Sequence, residues 1–207
     1  MSEQQTERAE SAETQQAEAH GEIAAAPEEE ERDADAALRR RMAVAQVRQW
    51  GDPVLRLRAH PVERFDDDLD RLTRRMGELM HDARGIGLAA TQVGILQRLF
   101  VFQAEDHDEP VVVCNPVVTP VGDGLETDDE GCLSLQGVMV PVERPDAVVL
   151  EGQDIKGAAF RMELVGLDAR VVQHELDHLD GVLILDRTDR ESRRDALKSL
   201  RPKPSLD

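Results

Sequence analysis

Tyrosine is absent from this 207-residue chain, tryptophan occurs once, and aromatic residues make up only 2% of it. Any core must therefore be assembled from Val, Leu, Ile, Met and Ala. Positive charge is short as well. A net charge of -18 repels phosphate backbones and anionic lipid surfaces, which argues against a DNA-binding or membrane-binding protein. No apolar run reaches the roughly 18 residues that a membrane-spanning helix needs. The N-terminus has neither the basic start and apolar stretch of a secretory signal nor the basic character of an organellar transit peptide, so a cytoplasmic protein is expected. Cysteine is scarce too, with Cys114 and Cys132 alone. In a reducing compartment such a pair reads as a packed thiol plus a ligand or nucleophile more readily than as a disulfide.

What is present is unevenly distributed. Residues 1–36 hold twelve Asp/Glu against two Arg, a net -10. This stretch has almost no large apolar residues with which to offset chain entropy, so residues 1–42 are expected to be a disordered acidic extension. A folded domain follows over 43–188, with a short helix and tail in 189–207. In "FDDDLDRLTRRMGELMHDARG", Leu69, Leu72, Met76, Leu79 and Met80 recur at spacings of three and four behind an Asp cluster. That predicts an amphipathic helix ended by Gly85. The runs "RLFVFQ", "PVVVCNPVV", "GVMVPV", "DAVVLEG" and "AFRMELVG" are β-rich and punctuated by Pro, Gly and Asp, as short antiparallel strands are. From about Asp168 the pattern turns helical, with Gly181 where the helix stops. "ESRRDALKSL" makes a last short helix before "RPKPS". The expected class is α+β: mainly antiparallel, short-stranded sheets packed around a central helix near the C-terminus.

That helix carries "VVQHELDH", Val171 to His178. On a helix, residues four apart share a face about 5–6 Å apart, so His174 and His178 can hold one metal ion. Glu175 is turned about 100° from His174, beside the metal's open position rather than on it. The alternative is a pair of exposed histidines on a charged helix. Val171, Val172, Leu176 and Leu179 argue instead for a buried helix, where unanswered imidazoles are costly.

A catalytic centre of this type takes three protein ligands and leaves a fourth position for water. No histidine follows His178, and the only downstream glutamate, Glu191, lies in a basic stretch. An upstream donor is therefore sought, and Cys132 in the polar loop "ETDDEGCLSLQG" is the candidate. Cys114, inside "VVVCNP", reads as a packed thiol. A third segment, "RGIGLAATQVG", lacks the Gly-Lys-Ser/Thr ending of a phosphate loop. Its Gly-Ile-Gly edge could pair with a peptide laid alongside as an added strand, and Gln92 supplies a neutral amide donor.

In this order, Gly85-Ile86-Gly87-Leu88-Ala89-Ala90-Thr91-Gln92, Glu130-Gly131-Cys132-Leu133-Ser134 and His174-Glu175-Leu176-Asp177-His178 resemble the motifs of the peptide deformylase family. "GDPVLR" from Gly51 and "HLDGVLILDR" from His178 are similar to the family as well, and the likeness runs from about Val44 to Arg187. One departure follows the cysteine motif, where "LSLQG" stands in place of the more usual Leu-Ser-Val/Ile-Pro.

The resemblance implies a bacterial, cytoplasmic, metal-dependent hydrolase that removes the formyl group from formyl-methionyl peptides. It implies one ion per chain held by Cys132, His174 and His178, with Fe2+ preferred and Zn2+, Ni2+ or Co2+ as substitutes. Glu175 would be the general base, and Gln92 with the Leu133 backbone N–H would stabilise charge on the formyl oxygen. Backbone pairing to the peptide would fall to Ile86, Gly87 and Gly131, and Val171 would line the methionine pocket. A contact with the ribosome near the nascent-chain exit is a further expectation. Two other readings remain: a metallopeptidase acting on internal bonds, and a metal-binding module of this fold without turnover.

Overall fold

Side chains at spacings of three and four, with a carboxylate in front of them, build one helix as the sequence predicts. A computed structural model of the chain describes residues 27–200. In it, Leu69, Met76, Leu79 and Met80 are buried along one face of Asp67–Asp82. The Asp66 carboxylate accepts the N–H groups of Asp68 and Leu69, satisfying two of the donors that a helix start leaves open. The other end differs from expectation. The helix closes at Ala83, and the left-handed position belongs to Arg84 (φ 59°) rather than to a glycine. Gly85 N–H reaches Met80 O at 2.9 Å and Arg84 N–H reaches His81 O at 2.9 Å, the double closure of a Schellman turn.

In chain order the elements are α1 (Pro27–Val44), a 3-10 turn (Pro53–Arg56), α2 (Asp67–Asp82), β1 (Gly87–Ala89), a second 3-10 turn (Ala90–Val93), β2 (Leu99–Phe102), β3 (Val111–Pro120), β4 (Leu125–Cys132), β5 (Leu135–Pro145), β6 (Ala147–Gln153), β7 (Ala159–Val165), α3 (Gly166–Leu179), α4 (Ile184–Arg187) and α5 (Arg190–Ser199). The chain divides into a unit up to Asp35 and a unit from Ala36 onward, and the second holds every side chain considered below. Disorder was expected up to residue 42, but within the described residues Pro27–Val44 is helical. Ala, Glu and Arg are strong helix formers even where few large apolar residues are available. Residues 1–26 and the "RPKPS" segment lie outside the described residues.

Five strands form one sheet in the order β1-β2-β3-β6-β7, and β4 pairs with β5 in a second, every pairing antiparallel. Strand β2 is buried on both faces: Leu99 and Val101 pack with the α2 side chains, Phe100 and Phe102 with Ala169, Val171, Val172 and Leu179 of α3. A strand sandwiched between two helices has no polar face, which is why "LFVF" shows no alternation. Strand β5 alternates, turning Leu135, Val138, Val140 and Val142 onto Leu183, Ile184 and Leu185.

Two strands are absent from the sequence expectation. β1 is only three residues long. The segment read as a polar loop, with Cys132 in it, is strand β4, and Cys132 is its last residue. Glu130 is its one buried side chain, so no apolar alternation marks it. Its order comes from backbone pairing with β5, from Leu125 opposite Pro145 to Gly131 opposite Met139.

Arg84 yields a stability prediction. A non-glycine residue in the left-handed region costs about 1–2 kcal/mol, so Arg84→Gly is expected to raise the unfolding free energy by roughly 1 kcal/mol in urea denaturation. A fall in stability would show that the Arg84 side chain supplies more than its backbone costs.

Candidate metal centre

Glu130 enters the protein interior near the end of β4, and three side chains meet it there. Arg144 from β5 donates to its two oxygens at 2.6 and 2.9 Å, Arg170 from α3 donates at 2.9 Å, and His174 Nδ1 lies 2.9 Å away. Arg144 also donates to Asp177 Oδ2 at 2.9 Å, and Asp177 in turn pairs with Arg187. Glu130, Arg144, Arg170 and Asp177 are all buried. Burial works against charge on Glu130, yet the hydrogen bonds from Arg144 and His174 outweigh it and pull the carboxyl down to about 2. This ionic chain fixes β4 against α3.

Fixing Glu130 fixes what lies two residues beyond it. Cys132 Sγ is 3.2 Å from a ring nitrogen of His178, Nε2. One donor atom from each of Cys132, His174 and His178 lies within 4.8 Å of the other two. With Nδ1 of His174 engaged by Glu130, its other nitrogen is the one available as a ligand, the arrangement in which a carboxylate sets a ligating imidazole. One sulfur and two imidazoles form a donor set suited to iron or zinc. The spacing and chemistry of these residues therefore fit a single divalent ion.

Their protonation reflects close coupling. Burial disfavours charge on His174, but hydrogen bonds to Cys132 and Glu130 prevail and hold its pKa well above the usual imidazole range. Burial, aided by the neighbouring His174 charge, holds His178 well below it. Glu175 is pushed up to about 7, chiefly by burial, with His174 opposing the shift. Its Oε2 is buried without a hydrogen-bond partner among the described residues. Glu175 packs directly on Gly87, where an added Cβ would meet its Oε1 at 2.3 Å, so no larger residue fits at that position without displacing the carboxylate.

The remaining candidates gather around a cavity of about 500 Å³. Ile86, Gly87, Gln92, Gly131, Leu133, Val171 and Glu175 all line it, together with Cys132 and His174. Gln92 is buried in the 3-10 turn. Its Oε1 accepts the Ala89 N–H at 2.9 Å, which turns Nε2 toward Ser134 Oγ (3.2 Å) and Cys132 Sγ (3.7 Å). Leu133 and Ser134 make the turn from β4 to β5. His178 is buried and is the one ligand candidate that does not line the cavity. Cys114 lies elsewhere, opposite Leu99 in the large sheet, free and fully buried.

Several groups carry no role in the motifs read from sequence: Glu130 as the anchor of His174, then Arg144, Arg170, Asp177 and Ser134. Arg170 was findable. It sits four residues before His174 on the same helix face, a buried position where an arginine needs a carboxylate partner.

Comparison with known proteins gives the same outline. The family described as polypeptide deformylase matches residues 44–194. A peptide deformylase of Parafrankia sp. (strain EAN1pec) is 42% identical over 172 residues, 80% of this chain and 93% of that protein. One from Dictyoglomus thermophilum is 46% identical over 149 residues, 72% of this chain and 95% of that one. Among solved structures, a Synechococcus elongatus peptide deformylase in complex with actinonin superposes with a TM-score of 0.71 at 43% identity, covering 74% of this chain and 85% of the other. For the Thermotoga maritima peptide deformylase the TM-score is 0.66 at 45% identity, covering 69% and 96%.

Two predictions follow from the burial pattern. Burial pushes the Cys114 thiol up to about 11, which keeps it protonated and unreactive at neutral pH. Iodoacetamide on the native, metal-stripped protein should add one label, at Cys132, and a second only after unfolding; mass spectrometry reads both. Glu130→Ala leaves buried guanidinium groups uncompensated, so it should cost about 3–5 kcal/mol of stability in chemical denaturation.

Proposed function

The chain belongs to the polypeptide deformylase family, metal-dependent hydrolases that free nascent polypeptides of their N-terminal formyl group, and on that premise we propose how the work is divided among its residues. The observation that carries the assignment is the meeting of Cys132, His174 and His178 within 4.8 Å, beside a cavity that Glu175 also lines.

In this reading Cys132, His174 and His178 hold the ion. When bound, it supplies Lewis-acid activation of a water molecule and of the formyl oxygen. Ligation requires the neutral form of both imidazoles. Glu175, buried and with Oε2 unengaged, takes a proton from the attacking water as the new C–O bond forms. It returns that proton to the departing nitrogen as the C–N bond breaks, so formate and a free N-terminus leave. Gln92 Nε2, its direction set by the Ala89 N–H, and the Leu133 backbone N–H stabilise the charge that grows on the formyl oxygen. Ile86, Gly87 and Gly131 all line the cavity and offer backbone groups to an extended peptide. Val171, one turn before His174 and buried, lines the pocket for the methionine side chain.

Ferrous iron is the assigned metal, with Zn2+, Ni2+ or Co2+ as substitutes, since a thiolate with two imidazoles suits all of them. The substrate sets the enzyme in the bacterial cytoplasm, where formylated chains emerge. No described helix is long and apolar enough to cross a membrane. A contact with the ribosome near the nascent-chain exit is supported by Arg190, Arg193, Arg194 and Lys198, all exposed on or beside α5.

The test is formate release from formyl-Met-Ala-Ser by protein purified anaerobically with ferrous iron. Cys132→Ser should lose both metal and turnover, whereas Glu175→Gln should keep the metal and lose turnover. Gln92→Ala should lower kcat by about 10²–10³. Formate release that survives in Cys132→Ser would remove Cys132 from the ligand set, and cleavage of internal peptide bonds unchanged by Cys132→Ser would instead favour a peptidase whose third ligand lies elsewhere. An iron-loaded wild type that releases no formate would refute the assignment.

A further inference from the structure

We propose that Gln49 and Gln136 are positioning residues for Cys132, acting through the peptide group that joins Leu133 to Ser134. The inference rests on Cys132 being a metal ligand. The N–H of this peptide group, on Ser134, donates to Cys132 Sγ at 3.4 Å. Its carbonyl, on Leu133, accepts two side-chain amides at once: Gln49 Nε2 at 3.1 Å and Gln136 Nε2 at 2.8 Å. A peptide unit whose oxygen accepts two donors is polarised, and its N–H becomes a stronger donor in turn. The two glutamines therefore draw charge from the sulfur without touching it, and they hold the turn that presents the Leu133 N–H to the cavity.

The geometry around Gln49 is that of an anchored side chain. Its Nε2 also donates to Val47 O at 3.1 Å, so both amide hydrogens have carbonyl partners and the amide orientation is determined. Its neighbours are tied to the same two segments. Arg48 N–H donates to Gln92 O at 2.7 Å, and Trp50 N–H donates to Ser134 O at 2.8 Å. Residues 48–50 thus form a strap holding the 3-10 turn of Gln92 against the turn of Cys132, although none of the three lines the cavity. Gln136 supplies the second amide from the exposed start of β5, three residues beyond the carbonyl that it binds.

Hydrogen bonding to a thiolate lowers the energy of its lone pairs, so weakening it moves the sulfur-to-metal charge-transfer band to lower energy. The test loads the full-length protein with Co2+ and records that band for wild type, Gln49→Met, Gln136→Met and the double variant. Methionine keeps length and removes the donor. Each single variant should shift the band to lower energy and the double variant further. For formyl-Met-Ala-Ser, kcat should fall roughly twofold to tenfold in each, the range of one neutral hydrogen bond, with KM unchanged. A band at the wild-type energy in the double variant overturns the inference while leaving Cys132 as a ligand. No sulfur-to-cobalt band in wild type overturns the ligand assignment itself. If Gln49→Met fails to fold by circular dichroism, Gln136→Met and Gln136→Pro at the exposed turn carry the test alone, and an unshifted band in both overturns it.

Discussion

One buried carboxylate holds the site together. Glu130 reaches into the interior from a strand otherwise open to water, and there it meets two guanidinium groups and an imidazole. Taking four polar groups out of water is costly unless each is answered, and only one alignment of β4 on α3 answers all four. That alignment also brings the sulfur of Cys132 to the ring of His178. The ion pairs need not add net stability to do this. Their effect is on specificity, since any slip of the strand would strand a charge.

The rest of the fold supplies rigid walls around that junction. α3 is wedged between the large sheet and β5, and its apolar residues pack on Phe100, Phe102 and Val113. The turn carrying Gln92 follows β1 directly and is bonded to α3 through Thr91, whose hydroxyl donates to His178 O at 3.2 Å. The candidate groups consequently sit on a helix, at a strand end and in a bonded turn, which restricts their motion relative to one another.

Much of this was legible in the sequence, for identifiable reasons. The period of α2, the β-branched runs of the large sheet and the His-Glu-x-x-His pattern are local signals that tertiary contacts only reinforced. β4 was not legible, because its buried residue is a charged one and its order comes from pairing with β5. α1 was misjudged because composition suited to a solvated tail is also composition suited to a helix. The anchoring of His174 by Glu130 was hidden for a different reason. The glutamate lies within a motif, but its partners Arg144 and Arg170 lie 14 and 40 residues away, and spacing carries no information over such distances. Gln49 and Gln136 are of the same kind: ordinary polar residues that acquire meaning only when two turns are brought together.

The central claim is that one sulfur and two ring nitrogens from distant parts of the chain share a single divalent ion. X-ray absorption at the metal edge tests it most directly, on the full chain loaded with zinc. The account predicts one sulfur scatterer at about 2.3 Å and two imidazole nitrogens at about 2.0–2.1 Å, with the sulfur signal lost in Cys132→Ser. A first coordination sphere made only of nitrogen and oxygen in the wild-type protein would contradict it.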